Sequence, residues 1–259
     1  MTDRAPLSAG DFNRIVAAAY ASPLSDPIAV LRAFWPSAIA YGVWLFSVFS
    51  FGRSGFSVQL VDNPAAFFAL ILVVIYFALL SVRGAISWHR HVILGEAVPW
   101  TPLLPDGRTF RYLTWSIVVS LVGGLTIALI GVVVFSVLYG AIPASTVPST
   151  PSIEIQVISA VVATAIYALA IVALARLAMG LPQTAVDAAD SDWSAQVPVR
   201  KILLATAIPL ALVGSLLPVF GGGVVVMVMG AALNAYALLV ALTGLSLAFR
   251  FRHGTDMAA

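Results

Sequence analysis

Six stretches of this chain are almost entirely apolar, and each is close to the roughly 20 residues that a helix needs to cross the hydrocarbon core of a bilayer. They cover residues 33–51, 64–82, 113–139, 157–175, 202–220 and 224–249. No Asp, Glu, Lys, Arg or His lies in the middle of any of these runs. The pattern predicts an all-α fold, a polytopic transmembrane bundle of six helices.

The composition supports lipid as the solvent. The 259 residues are 61% hydrophobic and 9% charged, against roughly 45–50% apolar and about 25% charged in a soluble domain. The net charge of +2 gives no reason to expect a nucleic-acid partner. The absence of Cys excludes thiolate nucleophiles and Cys-ligated metals.

A short helix is predicted before the first run. Residues 8–20 place Phe12, Ile15, Val16 and Ala19 at helical spacing on one face, over a length too short to span. An amphipathic helix of this kind either lies in the membrane interface or packs on the cytoplasmic side of the bundle. The predicted organisation is a cytoplasmic N-terminal segment over 1–27, a six-helix transmembrane domain over 28–252 and a cytoplasmic tail over 253–259.

The orientation follows from the basic residues, which gather on the cytoplasmic side of bacterial membrane proteins. With six spans, Arg53 is the one basic residue on one side, and the other twelve share the opposite side with both termini. These twelve are Arg4, Arg14, Arg32, Arg83, Arg90, Arg108, Arg111, Arg176, Arg200, Lys201, Arg250 and Arg252. We therefore expect an inner-membrane protein with cytoplasmic termini. The turn at 219–223 either joins two full spans or makes a re-entrant pair.

Small residues at intervals of about four predict how the helices pack, because they let helix backbones approach closely in lipid. Three runs carry such stripes, and we expect them to form the centre, with runs three and six in contact. The helix-packing residues are Ser116, Ser120, Gly124 and Ala128 in run three, Ala160, Thr164 and Ala168 in run four, and Gly230, Asn234, Ala237, Ala241 and Gly244 in run six. Asn234 fits an interhelical hydrogen bond better than a ligand contact. Run two is bulky all round and should face lipid.

A polar island between Arg83 and Arg111 holds the residues that could do chemistry. His89, His91 and Glu96 have the residue types of a metal site. If the second helix continues to Leu94 and stops at Gly95, however, His89 and His91 point about 200° apart while His89 and Glu96 share a face. We therefore expect no metal and no cofactor.

The alternative for this island is a lipid contact. Trp88 would lie at the headgroup level, with Arg83, Arg90 and Arg111 at headgroups. The two histidines would face lipid phosphates or water, so that replacing both would leave the fold largely intact. An acid–base site built from His89, Glu96 and Asp106 is a weaker hypothesis, because Asp106 sits in a Pro-Asp-Gly turn signal with no partner that the sequence can place.

Two motifs in the chain resemble those of a known group of proteins. Trp88-His89-Arg90, followed by Ile93-Leu94-Gly95-Glu96 and Arg111-Tyr112, resembles a segment after the second helix of a family of six-span alphaproteobacterial inner-membrane proteins. Arg176-Leu177 with Leu181-Pro182 is similar to their second signature, after the fourth helix. The resemblance implies the fold and the membrane, but no activity. The stretch 180–192 departs from it, being acidic where the family has a basic amphipathic segment.

Three functions fit these features. The absence of intramembrane charge, together with the small-residue stripes, favours a non-catalytic subunit that packs against or helps assemble a membrane complex or homo-oligomer. A carrier or channel for an apolar or lipid-like solute would use helix discontinuities at Pro209 and 221–223. A membrane enzyme would work at cytoplasmic headgroups with His89, Glu96 and Asp106. No catalytic residue is predicted on the favoured hypothesis.

Overall fold

A computed structural model of the chain describes residues 8–40, 42, 64–100, 106–140, 153–188, 199–217 and 224–253. Within these ranges the regular structure is all helix, which confirms the predicted all-α class. The helices are α1 (Ala9–Ser25), α2 (Pro27–Ala40), α3 (Pro64–Leu94), α4 (Gly107–Gly140), α5 (Ile153–Ala178), α6 (Gly180–Ala185), α7 (Val199–Leu216) and α8 (Val224–His253). The predictions for the loop around Arg53, for the turn at 219–223 and for the tail after residue 253 lie outside the described residues.

Four helices are long and apolar enough to cross a membrane. The stretches that meet this condition are Gly107–Val132, Gln156–Ala175, Val199–Leu216 and Val228–Phe251, in α4, α5, α7 and α8. The first predicted run is represented by α2, a shorter apolar helix, and its continuation lies outside the described residues. The chain therefore has the helices of a membrane protein, while the number of six spans stays a prediction.

Helix α8 lies at the centre of the bundle. Half of its most apolar stretch is buried, and α8 packs against α7, α1 and α3. Its small residues serve the contact with α7: a Cβ placed on Gly244 would lie 3.4 Å from the side chain of Thr206, and one on Gly230 would lie 3.8 Å from Leu217. The stripe of run six is thus a packing surface, as its spacing predicts, but its partner is α7.

Helix α4 does not use its predicted small face inside the chain. Ser120, Gly124 and Ala128 are exposed, and α4 packs against α5 through the neighbouring Gly123, where a Cβ would lie 2.7 Å from Leu174. The prediction that the small face of run three contacts run six is therefore wrong. Two adjacent glycines point about 100° apart on a helix, and their spacing does not say which of the two faces is buried.

The remaining predicted packing residues divide between buried and exposed positions. Ala160 and Thr164 of α5 are buried, in a helix that packs against α7 as well as α4. Ser116, Ala168, Ala237 and Ala241 are half-buried. Asn234 is exposed, and its side chain makes no hydrogen bond to any part of the chain that the structure describes. The expected interhelical hydrogen bond of Asn234 is therefore not found there.

Helices α2 and α3 pack closely and run antiparallel. A Cβ on Gly84 of α3 would collide with the backbone carbonyl of Ala33 in α2, so the contact requires glycine. Ser37 and Ser81 join the same two helices by a hydrogen bond of 2.7 Å. Nearer the start of α3, exposed bulky residues such as Phe68 and Leu72 form the surface that the sequence predicts to face lipid.

The N-terminal helix α1 packs into the bundle where Pro209 interrupts the backbone hydrogen bonds of α7. Ile15 and Ala19 are fully buried, and α1 contacts α7 and α8. Pro209 has no backbone N–H, so the carbonyl of Ala205, four residues earlier, lacks its helical donor. The hydroxyl of Tyr20 lies 3.1 Å from that carbonyl oxygen and 3.0 Å from the carbonyl oxygen of Thr206. A tyrosine from another helix thus replaces the missing donor.

Helix α8 also holds α1 in place. The hydroxyl of Tyr236 in α8 donates to the backbone carbonyl of Tyr20 over 2.7 Å, so α1 is held from two sides. The described α1 is therefore a packed helix of the bundle. The hydroxyl of Thr206, a candidate donor for the freed carbonyl, instead bonds to the carbonyl of Ile202 at 2.9 Å.

The two adjacent glycines of α4 provide a direct test of its buried face. Gly123→Leu is expected to destabilise the purified protein by about 1–3 kcal/mol, because the new side chain must displace Leu174. Gly124→Leu is expected to be neutral or slightly stabilising, because its Cβ meets open space and leucine favours helix over glycine by up to about 1 kcal/mol. Thermal unfolding in mild detergent measures both. Equal losses for the two variants would contradict the assignment.

The role of Tyr20 can be tested by a double-mutant cycle. Tyr20→Phe is expected to cost about 1 kcal/mol of stability, because the carbonyl of Ala205 loses its donor. In a Pro209→Ala background the restored amide supplies that donor, so the same change at Tyr20 should cost less. Equal costs of Tyr20→Phe in both backgrounds would show that the hydroxyl does not serve the proline defect.

Candidate functional site

The polar island occupies one end of the bundle, where the end of α3, the start of α4, α6 and the end of α8 meet. Helix α3 ends at Leu94, and Gly95 has the left-handed φ of 69° that stops it, as predicted. The island therefore divides into a helical part up to Leu94 and a loop that carries Glu96. We call this region the arginine-rich end.

Two ring side chains of α3 lie in the core of this end. Trp88 and His89 are both fully buried. Trp88 donates from Nε1 to the hydroxyl of Thr243 in α8 over 2.9 Å, and its ring lies 6.5 Å from that of Phe34 in α2. Trp88 is thus a core residue that joins α2, α3 and α8. The expected place of Trp88 at the headgroups is wrong.

His89 forms a buried chain of hydrogen bonds across three helices, which we call the histidine network. Its Nδ1 lies 2.6 Å from the hydroxyl of Ser246 in α8, and its Nε2 lies 2.8 Å from the hydroxyl of Tyr112 in α4. Ser246 donates its own proton to the carbonyl of Leu242 at 2.9 Å. Nδ1 of His89 must therefore carry the proton given to Ser246, which leaves Nε2 to accept from Tyr112.

Burial fixes the charge state of this histidine. Desolvation lowers the pKa of His89 to about 3, because an imidazolium in the core would lose its hydration. The two hydrogen bonds are compatible with this neutral ring, with Nδ1 donating to Ser246 and Nε2 accepting from Tyr112. The expectation that His89 faces lipid phosphates or water is therefore wrong, and its burial leads us to expect that replacing it costs stability.

His91 points away from His89, as two residues on a helix must. Its Nδ1 lies 2.8 Å from the carbonyl oxygen of Glu96, and its Nε2 lies 3.8 Å from the carboxylate of Asp26, the residue between α1 and α2. Glu96 does not share a face with His89, because the chain leaves the helix at Gly95 before reaching it. No group of three His, Cys, Asp or Glu side chains that could hold a metal occurs among the described residues.

The surface of the arginine-rich end is a network of ion pairs. Arg90 holds both carboxylate oxygens of Glu96, with Nε 2.7 Å from Oε2, and its Nη1 lies 3.4 Å from the carbonyl of Ala185 in α6. Arg108 and Arg111 of α4 both donate to Asp187, which follows α6. These bonds join the ends of α3 and α4 to α6.

The carboxylates of Asp187 and Asp106 are held ionised by their partners. The hydrogen bond from Arg108, helped by the charges of Arg108, Arg111 and Arg90, lowers the pKa of Asp187 against the opposing effect of burial. For Asp106, burial acts to raise the pKa, but the hydrogen bonds from Thr109 and the charges of Arg83 and Arg108 outweigh it and lower the pKa. Asp106 also caps α4, since its Oδ1 accepts from the backbone N–H of Thr109 at 2.8 Å.

A pocket of about 180 Å³ opens in this surface between α3, the loop after it and the start of α4. Its charged lining consists of Arg83, Arg90, Glu96, Asp106 and Arg108. The structure therefore brings Glu96 and Asp106 together, as the acid–base hypothesis requires, but leaves His89 in the core with both ring nitrogens occupied. Arg111 lies on the surface, and two-thirds of its side chain is exposed.

The sequence alone did not reveal the contacts that Tyr112, Ser246 and Asp187 make at this end of the bundle. Tyr112 follows Arg111 at the start of the third apolar run, but nothing in the sequence marked it as the partner of a histidine. Ser246 looked like any small hydroxyl in an apolar helix. Asp187 has a φ of 52°, unusual for a residue other than glycine, and this turn aims its carboxylate at Arg108 and Arg111.

Comparison with protein-family models, with curated proteins and with solved structures found no match. The class of the molecule is therefore defined by its fold: a helical protein whose described residues include four helices long and apolar enough to cross a membrane, with a charged pocket at one end.

The buried, neutral state of His89 has a consequence for pH. Unfolded histidine takes up a proton below about pH 6.5, whereas folded His89 stays neutral down to about pH 3. The unfolded state therefore binds more protons between these values, and stability must fall as the pH falls. We expect the unfolding temperature to drop between pH 7 and pH 5.

His89→Gln and His91→Gln form a matched pair for this prediction. His89→Gln should cost about 1–3 kcal/mol at pH 7, because it leaves Tyr112 or Ser246 without a partner, and should flatten the pH dependence. His91→Gln should keep the drop. A full pH dependence in His89→Gln would exclude His89 as its source.

Proposed function

We propose that this protein is a non-catalytic integral membrane protein that packs against another membrane protein through α4. The observation that carries the proposal is the exposed small-residue face of α4. Only 6% of the most apolar stretch of α4 is buried within the chain, against 22% for α5 and α7 and 50% for α8. Ser120, Gly124 and Ala128 lie on this open surface.

Small residues are the ones that let two membrane helices approach closely and gain packing contacts. A stripe of them on a lipid-facing surface gains nothing from lipid, whereas a second helix can pack against it. Within the described residues, a Cβ on Gly124 or Gly131 would meet no atom within 4 Å, so there is room for a neighbouring backbone. The occupant we propose is a transmembrane helix of a different protein, and a second copy of this chain is an alternative outcome of the test.

Two other functions receive less support. A solute carrier would use the discontinuity at Pro209, but the hydroxyl of Tyr20 fills it. A membrane enzyme would use His89 with Glu96 and Asp106, but His89 lies in the core with both nitrogens occupied. The lipid bilayer and a membrane complex are therefore the partners of the proposal, and it includes no cofactor.

The proposal includes an orientation, with the arginine-rich end and both termini in the cytoplasm of a bacterial inner membrane. The basis is the asymmetry of twelve basic residues against one. A reporter fused after Ala259 and another inserted within 141–152 are expected to report opposite sides of the membrane. A periplasmic C-terminus would contradict the orientation.

The partner surface can be tested by site-specific photo-crosslinking in intact membranes. A photoreactive residue at Gly124 or Ala128 is expected to give a discrete protein adduct, because these positions face the proposed partner. The matched control is Leu72 on α3, which is 68% exposed and should crosslink mainly to lipid. Mass spectrometry of the adduct identifies the neighbour.

The variant Gly124→Leu connects the crosslinking test with the stability test of α4. Gly124→Leu should keep the stability of the isolated chain but reduce the adduct formed from Ala128, because the new side chain fills the space for the partner helix. An adduct that contains only this chain would replace the proposed partner by a homo-oligomer. Similar yields from Ala128 and Leu72 would reject α4 as a docking surface.

A further inference from the structure

The pocket at the arginine-rich end has an unusual combination of charges. Arg83 and Arg90 lie on one face of α3, Glu96 comes from the loop after it, and Asp106 and Arg108 come from the start of α4. A simple anion bound in this pocket would meet two carboxylates, and a simple cation would meet three guanidinium groups. The ligand that matches both sets carries a negative and a positive group.

The hydrogen-bonding capacity of these groups is unevenly used. Arg90 is occupied on Nε and Nη2 by Glu96 and on Nη1 by the carbonyl of Ala185. Arg83 forms an ion pair with Asp106 at 3.7 Å. Nε of Arg108 is buried and has no hydrogen-bond partner among the described residues. Such an unpaired donor is costly, and Arg108 gains a bond by turning towards a bound oxyanion.

We propose that this pocket binds a phospholipid headgroup that carries a phosphate and a primary amine. The phosphate lies between Arg83 and Arg108, because guanidinium groups form strong charge-assisted hydrogen bonds with phosphate oxygens. The ammonium lies against Glu96, whose carboxylate has about four lone-pair sites and can accept from an amine as well as from Arg90. Ethanolamine phospholipid has this chemistry.

The surroundings of the pocket favour a lipid over a free phosphate compound. Arg83 directly follows the apolar run of α3, and α4 enters its apolar stretch from Gly107. Phe110 and Ile117 are exposed on the side of α4 that carries Asp106, in the turns that precede the docking residues Ser120, Gly124 and Ala128. Acyl chains of a lipid held by its headgroup in the pocket would lie against these first turns. The proposal goes beyond α4 docking and does not depend on it.

The test compares lipids on the full-length protein, purified and stripped of lipid in mild detergent. Thermal unfolding is followed against added phosphatidylethanolamine, phosphatidylcholine and phosphatidylglycerol, and against inorganic phosphate and phosphoethanolamine. Phosphatidylethanolamine is expected to protect at a mole fraction at least about ten-fold lower than the other two lipids, since a hydrogen bond to a charged group is worth about that factor. The two soluble compounds should not protect.

Arg108→Gln and Arg111→Gln are a matched pair, because each removes one of the two donors to Asp187 but only Arg108 lines the pocket. Arg108→Gln should weaken the protection by phosphatidylethanolamine about ten-fold, and Arg111→Gln should keep it. Glu96→Gln should abolish the preference over phosphatidylglycerol. The lipid preference of Glu96→Gln still tests the proposal if Arg108→Gln does not fold.

Several results would overturn the proposal. Equal protection by the three lipids would mean unspecific solvation, and protection by phosphoethanolamine or inorganic phosphate alone would mean a soluble ligand. Equal losses of lipid protection in Arg108→Gln and Arg111→Gln would mean that the two arginines act only by holding α6 in place through Asp187. None of these results bears on the photo-crosslinking from α4, so the two proposals fail separately.

Discussion

The arrangement of the helices depends on the need to satisfy polar groups where water is absent. An unsatisfied backbone or side-chain group costs several kcal/mol in hydrocarbon, so each one determines which helix must lie beside it. His89 requires a donor and an acceptor, and Tyr112 and Ser246 supply them from α4 and α8. The freed carbonyl near Pro209 requires a donor, and Tyr20 brings α1 to it.

The same rule explains which parts of the fold the sequence could predict. The helical class, the stop of α3 at Gly95 and the divergence of His89 and His91 follow from periodicity, from glycine chemistry and from 3.6 residues per turn. These are local properties of one helix. The packing role of Gly244 was also predictable, because a stripe of small residues in an apolar helix has few other uses.

The errors concern which helices meet. Gly123 and Gly124 are equally small, and only the position of Leu174 in α5 decides that the first is buried. Trp88 has the features of an interfacial residue, and its burial depends on the hydroxyl of Thr243, 155 residues away. Glu96 could be paired with Arg90 only once the path of the chain after Gly95 was known. The pocket is likewise a product of several segments and has no signature in any one of them.

The contact of Tyr20 has a consequence for the order of assembly. Its partner Ala205 is 185 residues further along the chain, and Tyr236, which holds it from the other side, is 216 residues away. A ribosome makes the first helix long before it makes this docking place. Until α7 and α8 have been made, the buried face of α1 therefore lacks these contacts. Helix α1 can reach its final position only after almost the whole chain has been made.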